Sequence, residues 1–131
     1  MHAAAIRLSM LLLTFSAASP VFAENCQNAQ TTIEMNACAG ENYKAADRDL
    51  NRAFARAISA AKESDRNVQG VDDSYEQALR EAQRAWIAFR DADCKPAPRE
   101  LAGSISMMEQ LDCLTEKTVQ RTKELRQRAR E

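Results

Sequence analysis

From Ile33 onward the apolar side chains recur at intervals of three and four residues. Ile33, Ala37, Tyr43, Ala46, Leu50, Ala53, Phe54, Ala57, Ile58 and Ala61 keep close to a 3.6-residue period, which predicts an amphipathic helix. Thr31-Thr32-Ile33-Glu34 reads as a capping box that opens it: the Thr31 hydroxyl accepts from the Glu34 N–H while the Glu34 carboxylate reaches back. Gly40 interrupts the pattern and allows either one long helix or two collinear pieces. Periodicity fades between Lys62 and Val71, a stretch containing Gly70, and a solvated loop is expected there. Asp73-Ser74-Tyr75-Glu76 is a second capping box, followed by an inward stripe of Tyr75, Leu79, Ala82, Trp86 and Phe89. Arg80, Glu81, Arg84 and Arg90 fall off that stripe or at its edge. Lys95-Pro96-Ala97-Pro98 ends the helix, because proline cannot continue it and disfavours helical geometry in the residue before it.

A last helix is predicted from about Ile105, with Met108, Leu111, Leu114, Thr118, Leu125 and Ala129 inward. Its acids come early (Glu109, Asp112, Glu116) and its bases late (Arg121, Lys123, Arg126, Arg128, Arg130), the order that the helix dipole favours. No two-residue alternation, internal repeat or low-complexity tract is present. The pattern predicts an all-α fold, a small antiparallel bundle of three to four helices.

The first residues change the compartment. Met1 to Arg7 carries one positive charge, Leu8 to Ala18 is apolar, and Val21-Phe22-Ala23 suits a signal-peptidase cleavage site. The apolar run is too short for a permanent membrane anchor. Residues 1–23 are therefore expected to be a signal peptide and 24–131 one exported domain, without a membrane anchor after cleavage. Cleavage leaves 108 of the 131 residues, enough for one small domain.

In an oxidising compartment, the four cysteines of this domain favour two disulfides over a metal site. Zinc is opposed by the spacing: no pair is C-x2-C, and the only histidine, His2, leaves with the signal. Cys26 lies five residues before the Thr31 cap and Cys38 about two turns into the first helix. Cys94 ends the central helix and Cys113 lies about two turns into the last. Folding back over such short loops predicts Cys26–Cys38 and Cys94–Cys113, which staple the bundle.

Composition narrows function further. Without a histidine the mature chain has no Ser-His or Cys-His nucleophile pair, so no catalysis and no cofactor is expected. Loss of Arg7 leaves 17 basic against 19 acidic residues, a net charge of −2, with no basic tail for nucleic acid. Asp91 and Asp93 point about 200° apart on a helix and cannot act as a carboxylate pair.

Three groups of residues stand out. Trp86, Phe89, Arg90 and Asp91 cluster on the central helix and read as a structural anchor, the aromatics as core and Arg90 laid over Trp86. Asp47 and Asn51, one turn apart, are expected to bond to Arg121 or the Thr118 hydroxyl across the bundle. The loop Lys95 to Ser104, stiffened by its prolines, offers Arg99, Glu100 and Ser104 for contact with a partner.

Taken in order, Cys26, Thr31, Met35-Asn36, Cys38-Ala39, Ala46-Asp47, Leu50-Asn51, Gln83, Trp86, Phe89-Arg90-Asp91, Cys94, Gly103-Ser104, Cys113, Thr118, Arg121 and Leu125 resemble the LprI-type lysozyme inhibitor N-terminal domain family. Phe54 stands where that family often has tyrosine. The resemblance implies a periplasmic or secreted helical protein that binds lysozyme directly. The alternative is an envelope-maintenance module that binds another envelope protein. A monomer is expected in either case.

Overall fold

Alanine decides how this chain packs. The computed structural model describes residues 26–68, 74–96 and 105–130. A short 3-10 turn at Cys26–Asn28 leads into three helices, α1 (Thr32–Asn67), α2 (Tyr75–Asp93) and α3 (Ser106–Arg128), with no strand among the described residues. The buried face of α1 is Ala39, Ala46, Leu50, Ala53, Ala57, Ile58 and Ala61. Five of these seven are alanines, so α3 approaches the α1 backbone closely along the seam. α3 answers with Thr118, Thr122 and Leu125, each almost wholly buried. The Thr122 hydroxyl donates to the Thr118 carbonyl at 2.8 Å, and Thr115 does the same to Leu111 at 2.7 Å. Threonine can therefore fill this narrow seam without leaving a hydroxyl unpaired. Leu79 of α2 joins Leu50, Ile58 and Leu125 in the apolar core, with Phe54, Trp86 and Ala129 packed on its edge.

Helix directions follow from the ends that meet. Cys94, just after α2, is bonded to Cys113 near the start of α3, and Arg128 at the end of α3 donates to the Tyr75 hydroxyl at the start of α2. α2 thus runs antiparallel to both neighbours, while α1 and α3 run parallel. The sequence expectation of an all-helical bundle with three to four helices is met by three. Both expected disulfides are present, with Cα separations of 6.0 Å for Cys26–Cys38 and 5.7 Å for Cys94–Cys113. Each closes a short loop, worth on the order of 3 kcal/mol in the chain-entropy account.

α1 runs through Gly40 without a break, the one-helix alternative that the sequence allowed, and three other features differ from the sequence expectation. It also continues to Asn67, so much of the stretch expected as loop from Lys62 is helical. That last turn is solvated and polar, held by a Glu63–Arg66 pair one turn apart, and apolar periodicity cannot report it. The N-cap of α2 is Ser74 rather than Asp73, which lies outside the described residues. Ile33, read as part of the inward stripe, is 81% exposed, lying about 120° around α1 from the buried Ala39.

Asp65 joins α1 to α2. Its carboxylate accepts from the Tyr75 N–H at 2.8 Å, the Glu76 N–H at 3.0 Å and the Ser74 hydroxyl at 2.8 Å. Ser74 in turn accepts from the Gln77 N–H at 3.2 Å, so the first turn of α2 is capped from within and from the neighbouring helix. The Glu76 N–H, followed by the Ser74 hydroxyl, holds the Asp65 carboxyl below the usual carboxylate range. A carboxyl depressed in the folded state contributes stability above its unfolded pKa and loses it as pH falls through the folded one. D65A is therefore expected to lower the melting temperature at neutral pH by a few degrees. The deficit should shrink on acidification below about pH 4, as the wild-type carboxylate protonates. Melting curves followed by circular dichroism against pH check this, and a deficit independent of pH would contradict it.

Candidate functional site

The centre of the bundle holds a layer of cations and rings. Gln83, Trp86 and Arg90 of α2 lie at i, i+3 and i+7, hence on one face. Arg90 is only 5% exposed. Its Nε and Nη2 both donate to Asp91 Oδ1, at 2.9 and 2.8 Å, and its Nη1 donates to Thr118 Oγ1 on α3 at 3.3 Å. Asp47 Oδ1 on α1 stands 3.8 Å from the same Nη1. The guanidinium carbon lies 5.2 Å from the Trp86 ring centre and 5.6 Å from that of Tyr43. Arg121 of α3 approaches Trp86 at 5.9 Å, so the indole has two cations within reach. Arg121 Nε donates to Gln83 Oε1 at 3.1 Å and its Nη1 to Glu124 at 2.8 Å. One layer thus touches all three helices. Burial raises the Tyr43 hydroxyl pKa above its ordinary value, against the opposing pull of Arg90.

The anchor expected at Trp86, Phe89, Arg90 and Asp91 is rearranged in two respects. Phe89 is not core: it is 57% exposed, and Lys117 Nζ lies 5.2 Å from its ring centre. Lys117 also pairs with Asp93 at 2.7 Å. Arg90, placed at the edge of the stripe by its polarity, is the side chain that points inward instead. Partners explain the exchange. Thr118, Asp91, Asp47 and two rings satisfy the guanidinium, whereas Phe89 lies about 100° around the helix from Arg90 and faces the flank of α3. Tyr75 and Ala82 of the expected stripe are exposed as well, and Gln83 is buried in their place.

Asp47 and Asn51 are near each other, with Asn51 Nδ2 donating to Asp47 Oδ2 at 3.1 Å. The cation that Asp47 faces is Arg90, while Arg121 turns to Gln83. The signal for this layer lies in the spacings Gln83-Trp86-Arg90 and Thr118-Arg121-Leu125, which are helical but polar and so invisible to a hydrophobic count. Arg99, Glu100 and Ser104 lie outside the described residues.

At the far end of the bundle a groove of about 440 Å³ is lined by residues that include Glu63, Asn67, Val68, Tyr75 and Arg128. Among the described residues no group of three or more His, Cys, Asp or Glu side chains could hold a metal ion. No described helix is long and apolar enough to cross a membrane.

The model of the family described as lysozyme inhibitor LprI matches residues 23–125, most of the chain. The chain belongs to that family. An uncharacterized protein of Rhizobium meliloti (strain 1021) is 37% identical over 132 residues, covering 97% of this chain and 95% of its own length. The uncharacterized protein YecT of Escherichia coli (strain K12) is 27% identical over 116 residues, covering 84% of this chain and 72% of its own. No solved structure matches. The residues that carry the resemblance to the LprI family converge in space. Asp47, Leu50, Asn51, Gln83, Trp86, Arg90, Asp91, Thr118, Arg121 and Leu125 form the layer or the core beside it, with the disulfides at the margins.

Removing Arg90 takes away a buried hydrogen bond to α3 and two ring contacts. R90A is expected to cost about 3 kcal/mol. F89A should stay within about 0.5 kcal/mol, as surface substitutions do. Urea unfolding of both variants checks the order, and an equal or larger loss for F89A would contradict it.

Proposed function

We propose that the mature domain, periplasmic or secreted, inhibits lysozyme by direct protein–protein contact and without catalysis. The family match over residues 23–125 carries this reading. Two disulfides fit an extracytoplasmic protein. The contact is assigned to the loop between α2 and α3, with Arg99, Glu100 and Ser104 reaching into the enzyme, since Cys94–Cys113 ties its two ends together.

Charge supports a basic partner through a ridge on α3 rather than through Glu63, Asp65, Asp91 and Asp93. Glu63 is paired with Arg66, Asp65 caps α2, Asp91 holds Arg90, and Asp93 holds Lys117. Those acids are largely neutralised. Glu109, Asp112 and Glu116 are exposed at i, i+3 and i+7 on α3, directly after the loop, and make no ion pair among the described residues. This acidic ridge would draw a strongly basic enzyme, as many lysozymes are, toward the loop.

A cell-wall lysis assay with purified mature protein tests the proposal. Lysis should slow in proportion to added protein. The double variant R99A/E100A should weaken the effect at every salt concentration, while E109K/D112K/E116K should weaken it mainly at low salt. An undiminished lysis rate at large molar excess, against more than one lysozyme type, would transfer the function to another envelope partner. Full inhibition by R99A/E100A would keep the function and remove the site.

A further inference from the structure

The groove at the far end of the bundle is separated from the α2–α3 loop by the length of α2. Its volume of about 440 Å³ is that of a small-ligand cleft. Three helix ends form it: the last turns of α1, the first residue of α2 and the last residue of α3. Side-chain bonds hold those ends together. Asp65 of α1 accepts from the Tyr75 and Glu76 N–H groups and the Ser74 hydroxyl, and Arg128 Nη1 of α3 donates to the Tyr75 hydroxyl at 3.2 Å. Tyr75 is therefore fixed from two sides, and the walls are set before any ligand arrives.

Ala60, Val68 and the Tyr75 ring give the groove an apolar floor, with Val68 53% and Tyr75 37% exposed. Around that floor stand polar groups with bonding capacity to spare. The Ser64 hydroxyl and the Asn67 side-chain amide make no hydrogen bond among the described residues. Arg128 makes no ion pair there, and its side-chain partner is the neutral Tyr75 hydroxyl. Glu63 gives one oxygen to Arg66 and keeps the other.

These groups specify the chemistry of a ligand. Arg128 only donates, Glu63 only accepts, and Ser64, Asn67 and the Tyr75 hydroxyl do both. A ligand that answers them must carry donors and acceptors side by side. Net charge of either sign is opposed. A cation meets Arg128, while an anion meets Glu63 and the negative dipole ends of α1 and α3, which both finish here. Vicinal hydroxyls fit, because each donates and accepts, and a pyranose also presents a face of C–H groups to an aromatic ring.

We propose that this groove binds a neutral oligosaccharide, with one sugar ring on Tyr75 and its hydroxyls bonded to Ser64, Asn67, Glu63 and Arg128. The inference does not depend on which protein the chain inhibits. A chain held by this end keeps its Cys94–Cys113 end clear of the sugar.

Titration of the isotopically labelled mature chain with the N-acetylglucosamine trimer and with maltotriose, followed by nuclear magnetic resonance, tests it. The Asn67 side-chain amide and the Ser64 and Tyr75 backbone amides should shift, and saturate below about 10 mM with at least one of the two sugars. Y75A should lose most of the binding. S64A/N67A should bind at least about fivefold more weakly with an unchanged melting temperature, since neither side chain is bonded in the fold. If Y75A melts lower than the wild type, S64A/N67A alone decides. Sodium acetate at the same concentration should leave these signals in place. No shift with either sugar up to about 10 mM overturns the proposal. So does binding that S64A/N67A leaves undiminished, or a stronger response of the same signals to acetate than to sugar.

Discussion

A guanidinium leaves water only where its donors find acceptors and its charge finds compensation. At Arg90 those come from all three helices: Asp91 on its own, Thr118 on α3, and Asp47 and Tyr43 on α1. Trp86, one turn earlier, lies within cation–π reach of both Arg90 and Arg121. Such a group is satisfied only when α2 sits at one height and one rotation relative to α1 and α3. The layer therefore does for α2 what a purely apolar face would do less exactingly, which is to fix its register.

The need for that device follows from the rest of the packing. α1 and α3 meet through alanine, threonine and leucine, which gives a tight seam but little apolar area per residue. α2 contributes only Leu79, Gln83 and Arg90 as buried residues, so its attachment leans on polar contacts and ring stacking more than on burial. With 5% aromatic residues, the domain has few large side chains to spend on a core. The disulfides tie down the amino-terminal arm and the α2–α3 connection, and Asp65 secures the α1–α2 connection. Each place where the chain reverses thus carries its own fastening.

Much of the fold is legible in the residues themselves. The Thr31–Glu34 box starts α1 as read, with Gln30 and Thr31 N–H groups both donating to Glu34 Oε2, and the cysteine spacing yields the pairing found. The layer is less legible for a physical reason. Hydrophobic counting assigns Arg90 and Gln83 to water and Phe89 to the core, yet burial here is decided by whether partners lie across the bundle. Pairing between α2 and α3 cannot be read from either helix alone. Lys62 to Asn67 fails the same count because a solvated helical turn needs no apolar side. For Arg99, Glu100 and Ser104 the sequence offers only their position in a proline-containing loop, and their role belongs to the proposed function.

Arg90 holds α2 to α3 through an interaction between the two helices rather than through its own helix alone. A double-mutant cycle of R90M, T118V and the combined variant, measured by urea unfolding, tests it most directly. The two substitutions should be coupled by about 1 to 2 kcal/mol, the combined loss being smaller than the sum of the single losses. Losses that add to within about 0.3 kcal/mol would contradict it.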